Sequence, residues 1–236
     1  MRLAIVTGGS KGLGKALCLQ LEVAGYRVLE LSRSAPHHFS SRIDLAVPAE
    51  VPPAVAAALA AIDPRECTEL WVFNNAGTLA PIGPAWQKAT QDLLANLNIN
   101  FSSAILALTA VMQHFRETPC RKVIVNISSG AALKGYAGWS LYCASKAGME
   151  GFIRAIAAEE QLQEHPFIAV SVNPGVIDTD MQAAIRATSA SDFPEVERFK
   201  RRKREGGLAA AESVAAAIIR LLSDRQLQPG GRYDAG

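Results

Sequence analysis

The chain has 236 residues, 49% of them hydrophobic and 19% charged, with a formal net charge of +2. That length and apolar content suit one α/β domain with a sizeable core and exclude a disordered chain. The near-balance of charge carries neither a nucleic-acid nor a membrane-surface signature.

Met1-Arg2 runs directly into Leu3-Ala4-Ile5-Val6. A short continuous apolar run ending in a glycine-rich turn predicts a strand buried on both faces, and no signal peptide is expected ahead of it. The turn is Thr7-Gly8-Gly9-Ser10-Lys11-Gly12-Leu13-Gly14, and a helical pattern at Leu13, Leu17 and Leu21 closes at Gly25. Strand, glycine turn and helix form a setting in which backbone N–H groups and a helix N-terminus hold a pyrophosphate. Gly8, Ser10, Lys11, Gly12, Leu13 and Gly14 are therefore candidate cofactor contacts. Arg27 to Leu31 reads as a second strand, ending at Ser32-Arg33. In a dinucleotide fold this position faces the adenosine ribose, where a cation implies the 2′-phosphate of NADP and an acid implies NAD. Arg33 with Ser32, helped by Lys11, points to NADP(H); Glu30 lies within the strand and not at its tip. Residues 34–47 are expected to form a loop with a solvated His37-His38 pair, and Asp44 is placed to reach the adenine edge.

An alanine-rich helix is expected over 53–62. Leu70 to Phe73 reads as a third strand ending in Asn74-Asn75-Ala76-Gly77, small residues that let a cofactor pass close to Asn75, Ala76 and Gly77. Residues 85–117 read as two helices. Asn96, Asn98 and Asn100 interrupt their apolar pattern, and each amide needs a partner: either it ties down backbone or it holds a water. Lys122 to Ile127 is a strand followed by Ser128-Ser129-Gly130, 140–161 a long helix, and Ile168 to Val172 a strand closed by Asn173-Pro174-Gly175. Residues 176–208 break the rhythm and suit a substrate lid. Within them Arg198 to Arg204 is strongly basic, but flanking acids favour a solvated helix face over nucleic-acid binding. An amphipathic helix over 211–223 and a closing strand Gly231 to Asp234 complete the chain. No uninterrupted apolar run of about 18 residues occurs, so no membrane span is expected. Cys18, Cys67, Cys120 and Cys143 are widely spaced, which predicts neither a metal motif nor a disulfide framework and suits a reducing cytoplasm. The alternation of strand and helix predicts a Rossmann-type doubly wound parallel sheet with helices on both faces, in a single domain.

On the long helix, Tyr142 and Lys146 are four residues apart and share a face. An ammonium beneath a phenol is expected to pull the phenol pKa down from about 10, tuning it to give a proton to a carbonyl oxygen.

Taken together, Thr7-Gly8-x-x-x-Gly12-x-Gly14, Asn74-Asn75-Ala76-Gly77, Asn100, Ser129, Tyr142-x-x-x-Lys146 and Asn173-Pro174-Gly175 with Thr179 resemble the short-chain dehydrogenase/reductase family over essentially the whole chain. The resemblance implies a nicotinamide cofactor and a catalytic set of Asn100, Ser129, Tyr142 and Lys146. In it, Lys146 binds the nicotinamide ribose and Asn100 holds a water in a proton relay. It also implies cofactor contacts at Pro174, Gly175, Ile177 and Thr179, and a homodimer or homotetramer. Asn126-Ile-Ser-Ser129, Gly138-Trp-Ser-Leu-Tyr-Cys143, Ala158-Glu-Glu160 and Asp178-Thr-Asp-Met-Gln182 are similar to the sepiapterin reductase and benzil reductase group. That likeness implies substrate contacts at Ser129, Trp139, Tyr142, Met181 and Asp234. The C-terminus is shorter than in the animal sepiapterin reductases and lacks their aromatic ending, which favours a broader ketone or vicinal diketone reductase. Alternatives on the same fold are reduction of 3-oxoacyl thioesters and oxidation of an alcohol; a non-catalytic dinucleotide sensor is the alternative of another class.

Overall fold

The apolar runs become the middle of a sheet. In the computed structural model, which describes residues 1–223 and 226–235, seven strands pair in the order β3-β2-β1-β4-β5-β6-β7, every pair parallel. They are β1 (Arg2–Thr7), β2 (Arg27–Ser32), β3 (Ser40–Arg42), β4 (Glu69–Asn74), β5 (Arg121–Ile127), β6 (Phe167–Asn173) and β7 (Arg232–Asp234). The helices are α1 (Gly12–Val23), α2 (Val51–Leu59), α3 (Thr90–Leu97), α4 (Ser103–His114), α5 (Ser140–Glu160), α6 (Asp180–Ala187), α7 (Val196–Arg204) and α8 (Ala211–Ser223). β3 is an addition to the expected pattern. It lies in the loop expected over 34–47, because a three-residue edge strand, Ser40-Ser41-Arg42, carries no apolar alternation.

Side chains alternate across the sheet and build two cores. Leu3 and Ile5 of β1 join Val51, Val55 and Leu59 of α2, Ala104, Leu108 and Val111 of α4, and Met149 and Ile153 of α5. Ala4 and Val6 face the other way, toward Leu13 and Leu17 of α1 and Val214, Ile218 and Leu222 of α8. Between β1 and β4 the winding reverses. The carboxyl ends of those two strands part there and leave the crevice in which open α/β sheets bind ligands.

The two helices expected over 85–117 are joined end to end. A π-helical turn over Asn98–Ser102 links α3 to α4. The resulting stretch Thr90–His114 has 25 residues, and its most apolar window averages a hydropathy of 1.4, long and apolar enough by composition to cross a bilayer. No uninterrupted apolar run announced it, because polar residues punctuate it. Ala104, Ala107, Leu108, Val111 and Met112 of this stretch lie in the core beneath the sheet.

The expected lid contains α6 and α7. It is held by a small cluster of Leu79, Trp139, Ile185, Phe193 and Val196, in which the Trp139 and Phe193 rings stack at 4.5 Å with planes 3° apart. The basic run forms α7. Arg198 pairs with Glu195 and Lys200 with Glu197, each at 2.7 Å, and Lys203 pairs with Asp178. A salt-bridged, solvent-facing helix is what the flanking acids implied.

Candidate active site

One cleft of about 650 Å³ runs along the carboxyl edge of the sheet. One end is the turn between β1 and α1. Gly8 has φ +69°, and a Cβ there would stand 2.8 Å from Ala76 Cα, so the turn can pass the end of β4 with glycine only. Thr7 Oγ1 accepts from the N–H groups of Asn75 and Ala76, both at 3.1 Å. The Asn75 amide donates to the carbonyls of Thr7 and Gly8, both at 3.0 Å. Asn75 thus pins the glycine turn, and its side-chain donors are occupied in doing so. The first turn of α1 has no side-chain cap and no acidic residue. Its free N–H groups and partial positive charge line the cleft, a cradle fit for a phosphate.

The ribose end departs in part from expectation. Glu30 is fully buried, and its carboxylate accepts from Gly9 N at 2.8 Å and Ser32 Oγ at 3.1 Å. It sits within β2 and not at its tip, as its position in the sequence implied, with its carboxylate under the glycine turn. The Ser32 hydroxyl donates to Glu30 and accepts from Ala35 N. Its proton is therefore engaged, so Ser32 shapes the strand end and does not offer a donor to a phosphate. Arg33 is exposed at the cleft wall. Lys11, read as a second cation for the same phosphate, bonds to Asp180 of α6 at 2.9 Å across the cleft mouth. The two are drawn together by opposite charge from elements that the sequence does not place side by side. His37, expected in solvent, is half-buried: it stacks on Phe39 and its ring nitrogen lies 3.2 Å from Gly9 O. Asp44 lines the cleft and accepts from Ala46 N at 2.9 Å.

The other end of the cleft gathers Ser129, Tyr142 and Lys146. Ser129 sits at the carboxyl end of β5. Its Oγ accepts from Ala131 N at 3.1 Å, which leaves its own proton to bond the Tyr142 oxygen. Tyr142 and Lys146 are 8% and 7% exposed. The tuning is the reverse of that expected from the spacing. Burial pushes the Tyr142 phenol up to about 12, with the Ser129 hydrogen bond pulling the other way. The Lys146 amine, 5.6 Å from the Tyr142 ring centre, donates to Ile127 O at 2.6 Å. Burial pulls it down to about 8, opposed by the Glu150 carboxylate. The cost of desolvating the phenolate outweighs a cation that is engaged elsewhere.

Asn100 lies in the π-helical turn. Its amide takes Thr78 N at 2.8 Å and gives to Thr78 O at 2.8 Å and to Asn96 Oδ1 at 3.0 Å. Of the two roles open to it, the side chain ties down backbone: it clamps the segment following β4. Asn96 extends the clamp to Ala80 O at 2.7 Å.

Pro174, Gly175, Ile177 and Thr179 also border the cleft, as do Trp139 and Met181 beside Tyr142. Asp234 does not line it. Its carboxylate accepts from the Asn173 amide at 2.7 Å and from Arg232 at 3.4 Å, outside the pocket. Sequence reasoning missed Leu79, Tyr136, Gln182, Ile185 and Phe199, which also line the cleft. They come from four segments, and no motif connects them.

Residues 2–190 match the family model described as short chain dehydrogenase. The chain belongs to the short-chain dehydrogenase/reductase family and is an oxidoreductase of that family, acting on small molecules. It is 36% identical, over 99% of its length and 98% of the relative's, to "Benzil reductase ((S)-benzoin forming)" of Bacillus subtilis. It is 29% identical to sepiapterin reductase of Mus musculus over 98% and 95% of the two chains. Among solved structures, the KRED1-Pglu enzyme superposes with a TM-score of 0.83 at 26% identity, covering 99% of this chain and all of that one. A short chain dehydrogenase from Burkholderia cenocepacia in complex with NADP gives 0.78 at 25% identity, covering 99% and 95%.

Proposed function

We propose that the chain is an NADPH-dependent carbonyl reductase that converts a ketone or vicinal diketone to the alcohol, with Tyr142 as proton donor. The observation that carries this is the course of the cleft. It leads from the uncapped N-terminus of α1, past Lys146, to a buried Tyr142–Ser129 pair walled by Trp139, Tyr136 and Phe199. The polar end fits a dinucleotide phosphate, and the aromatic end fits an aromatic ketone. The likeness to a benzil reductase supports the substrate class.

The cofactor, when bound, supplies the hydride for the carbonyl carbon. The amides of Gly12, Leu13 and Gly14 would hold its phosphates, and Arg33 its 2′-phosphate. Lys146 would reach the ribose hydroxyls. The Ser129 hydroxyl would turn its proton from the Tyr142 oxygen to the substrate oxygen and so orient it. The Tyr142 phenol, held up at about 12, keeps its proton at neutral pH. It releases that proton to the oxygen as negative charge develops there.

Initial rates of NADPH and NADH oxidation with benzil, alongside Tyr142→Phe, test this reading. Turnover that prefers NADPH and falls by about 10²- to 10⁴-fold in the variant supports it. Near-normal turnover in Tyr142→Phe removes the proton donor. Binding of NADPH with no reduction of any ketone or diketone removes the substrate class, and acyl thioesters and pterins are then the next substrates to assay.

A further inference from the structure

Cys67 and Cys120 are far apart in the chain, and the fold brings them together at the amino edge of the sheet, opposite the cleft. β4 and β5 pair in the register Glu69↔Arg121. Extended back by one residue, that register sets Cys120 against Thr68, the neighbour of Cys67. With strands about 4.8 Å apart and a rise of about 3.3 Å per residue, the two Cα atoms lie about 6 Å apart. A disulfide spans about 4.4–6.8 Å. Cys67 closes the short helical turn over Pro64–Glu66 ahead of β4 and is outside the alternation of the strand; its side chain lies in the core beneath α2 and α4, against which Cys120 packs. The Cys67 thiol donates to Glu69 O at 3.3 Å, and each cysteine shifts the titration of the other, as neighbouring sulfurs do.

The two sulfurs are unequal. Cys120 is half-buried and Cys67 buried. The Cys67 sulfur and the nearby Lys122 ammonium hold the Cys120 thiol below its ordinary range, while the Cys120 sulfur and burial raise that of Cys67. Cys18 contrasts with both: it is buried in the other core, and burial with the Glu30 carboxylate pushes its thiol up to about 12.

We propose that Cys67 and Cys120 are a redox-active dithiol that closes to a disulfide, with Cys120 reacting first with a hydroperoxide and Cys67 resolving it. The Cys120 thiolate attacks a peroxide oxygen; an S–O bond forms, the O–O bond breaks, and the departing oxyanion takes a proton from water. The Cys67 sulfur then attacks the Cys120 sulfur; the S–S bond forms, the S–O bond breaks, and hydroxide leaves with the Cys67 proton as water. Two thiols lose two electrons, and the peroxide becomes an alcohol and a water, or two waters when it is hydrogen peroxide.

The bond joins two central strands about 20 Å from the cleft, given a six-residue strand, so oxidation leaves turnover unchanged. It shortens the unfolded chain's freedom and raises the Tm by about 5 °C or more.

The test treats the intact protein with stoichiometric hydrogen peroxide and follows thiol titration, peptide mapping and Tm. The expected result is a loss of two of the four thiols as one bond between the Cys67 and Cys120 peptides, reversed by dithiothreitol. Cys67→Ser should leave a Cys120 sulfenic acid that dimedone traps, whereas Cys120→Ser should leave Cys67 reduced. Retention of all four thiols overturns the proposal. So does first oxidation at Cys18 or Cys143, or a Cys120 sulfinic acid beside an intact Cys67. If a serine variant fails to fold, the wild-type peptide map alone decides between these outcomes.

Discussion

Glu150 stands one helical turn beyond Lys146 on the buried face of α5, and its carboxylate opposes the loss of charge that burial imposes on the Lys146 amine. Glu150 is held there from two sides. Ser128 Oγ donates to it at 2.5 Å and Arg232 Nε of β7 at 3.0 Å. Arg232 also reaches Asp234 at 3.4 Å, so the last strand of the chain is tied to the helix that carries Tyr142.

The pH profile of kcat/KM for reduction should report this pair, because that ratio follows groups of the free enzyme. Lys146 is charged below about 8, so the rate should fall as pH rises through that value. Removing the carboxylate lowers the amine further, and Glu150→Gln should move the alkaline limb toward acid by about one pH unit. An unmoved limb would separate Glu150 from the tuning of Lys146.

The same amine makes stability depend on pH. Its folded pKa of about 8 lies below the ordinary 10.5. Between those values the unfolded chain binds more protons, so stability rises with pH across that window. The penalty fully present below pH 8 is on the order of 3 kcal/mol. Chemical denaturation at several pH values should show this rise in the wild type and a flatter curve in Lys146→Met. Parallel curves would sink the assignment.

Asn100→Ala strands the Thr78 N–H and leaves the Thr78 C=O only the longer bond from Asn96 at 3.4 Å. Buried groups without partners cost about 1–3 kcal/mol each. A fall in Tm of several degrees is expected, together with slower turnover, since Thr78 borders the cleft. A variant with unchanged Tm would show that Asn100 does not clamp this segment.

Arg33→Ala should raise KM for NADPH by about 10- to 100-fold, the worth of one charge-assisted hydrogen bond, and leave KM for NADH nearly unchanged. Equal effects on both cofactors would remove Arg33 as the reader of a 2′-phosphate.

Phe193→Ala takes away the ring stacked on Trp139. Truncating a buried Phe costs about 3–5 kcal/mol where the site cannot collapse. The lid should loosen, and KM for an aromatic ketone should rise more than KM for NADPH. An equal rise in both would place the effect on the whole fold and not on the lid.

The amino-acid sequence by itself determined the parallel doubly wound sheet, the glycine turn that leads into α1, and the Tyr142–Lys146 pair. Each of these is local: a buried strand is a short apolar run, a phosphate turn is a glycine spacing, and a helix face is a four-residue step. Ser129 was singled out by the family resemblance, and Arg33 by its place at a strand tip. Edge strand β3 was not, because three polar residues carry no alternation.

Tertiary structure decided the rest, because charge, burial and distance are properties of what packs together. It set the phenol of Tyr142 high, since desolvation is not written in a spacing and the amine of Lys146 is drawn to Ile127 O. It assigned the Asn100 amide to the backbone of Thr78, the Ser32 proton to Glu30, Lys11 to Asp180, and Asp234 to Asn173. It also placed Cys67 beside Cys120, a meeting fixed by the register of two neighbouring strands and by nothing in the spacing of the cysteines.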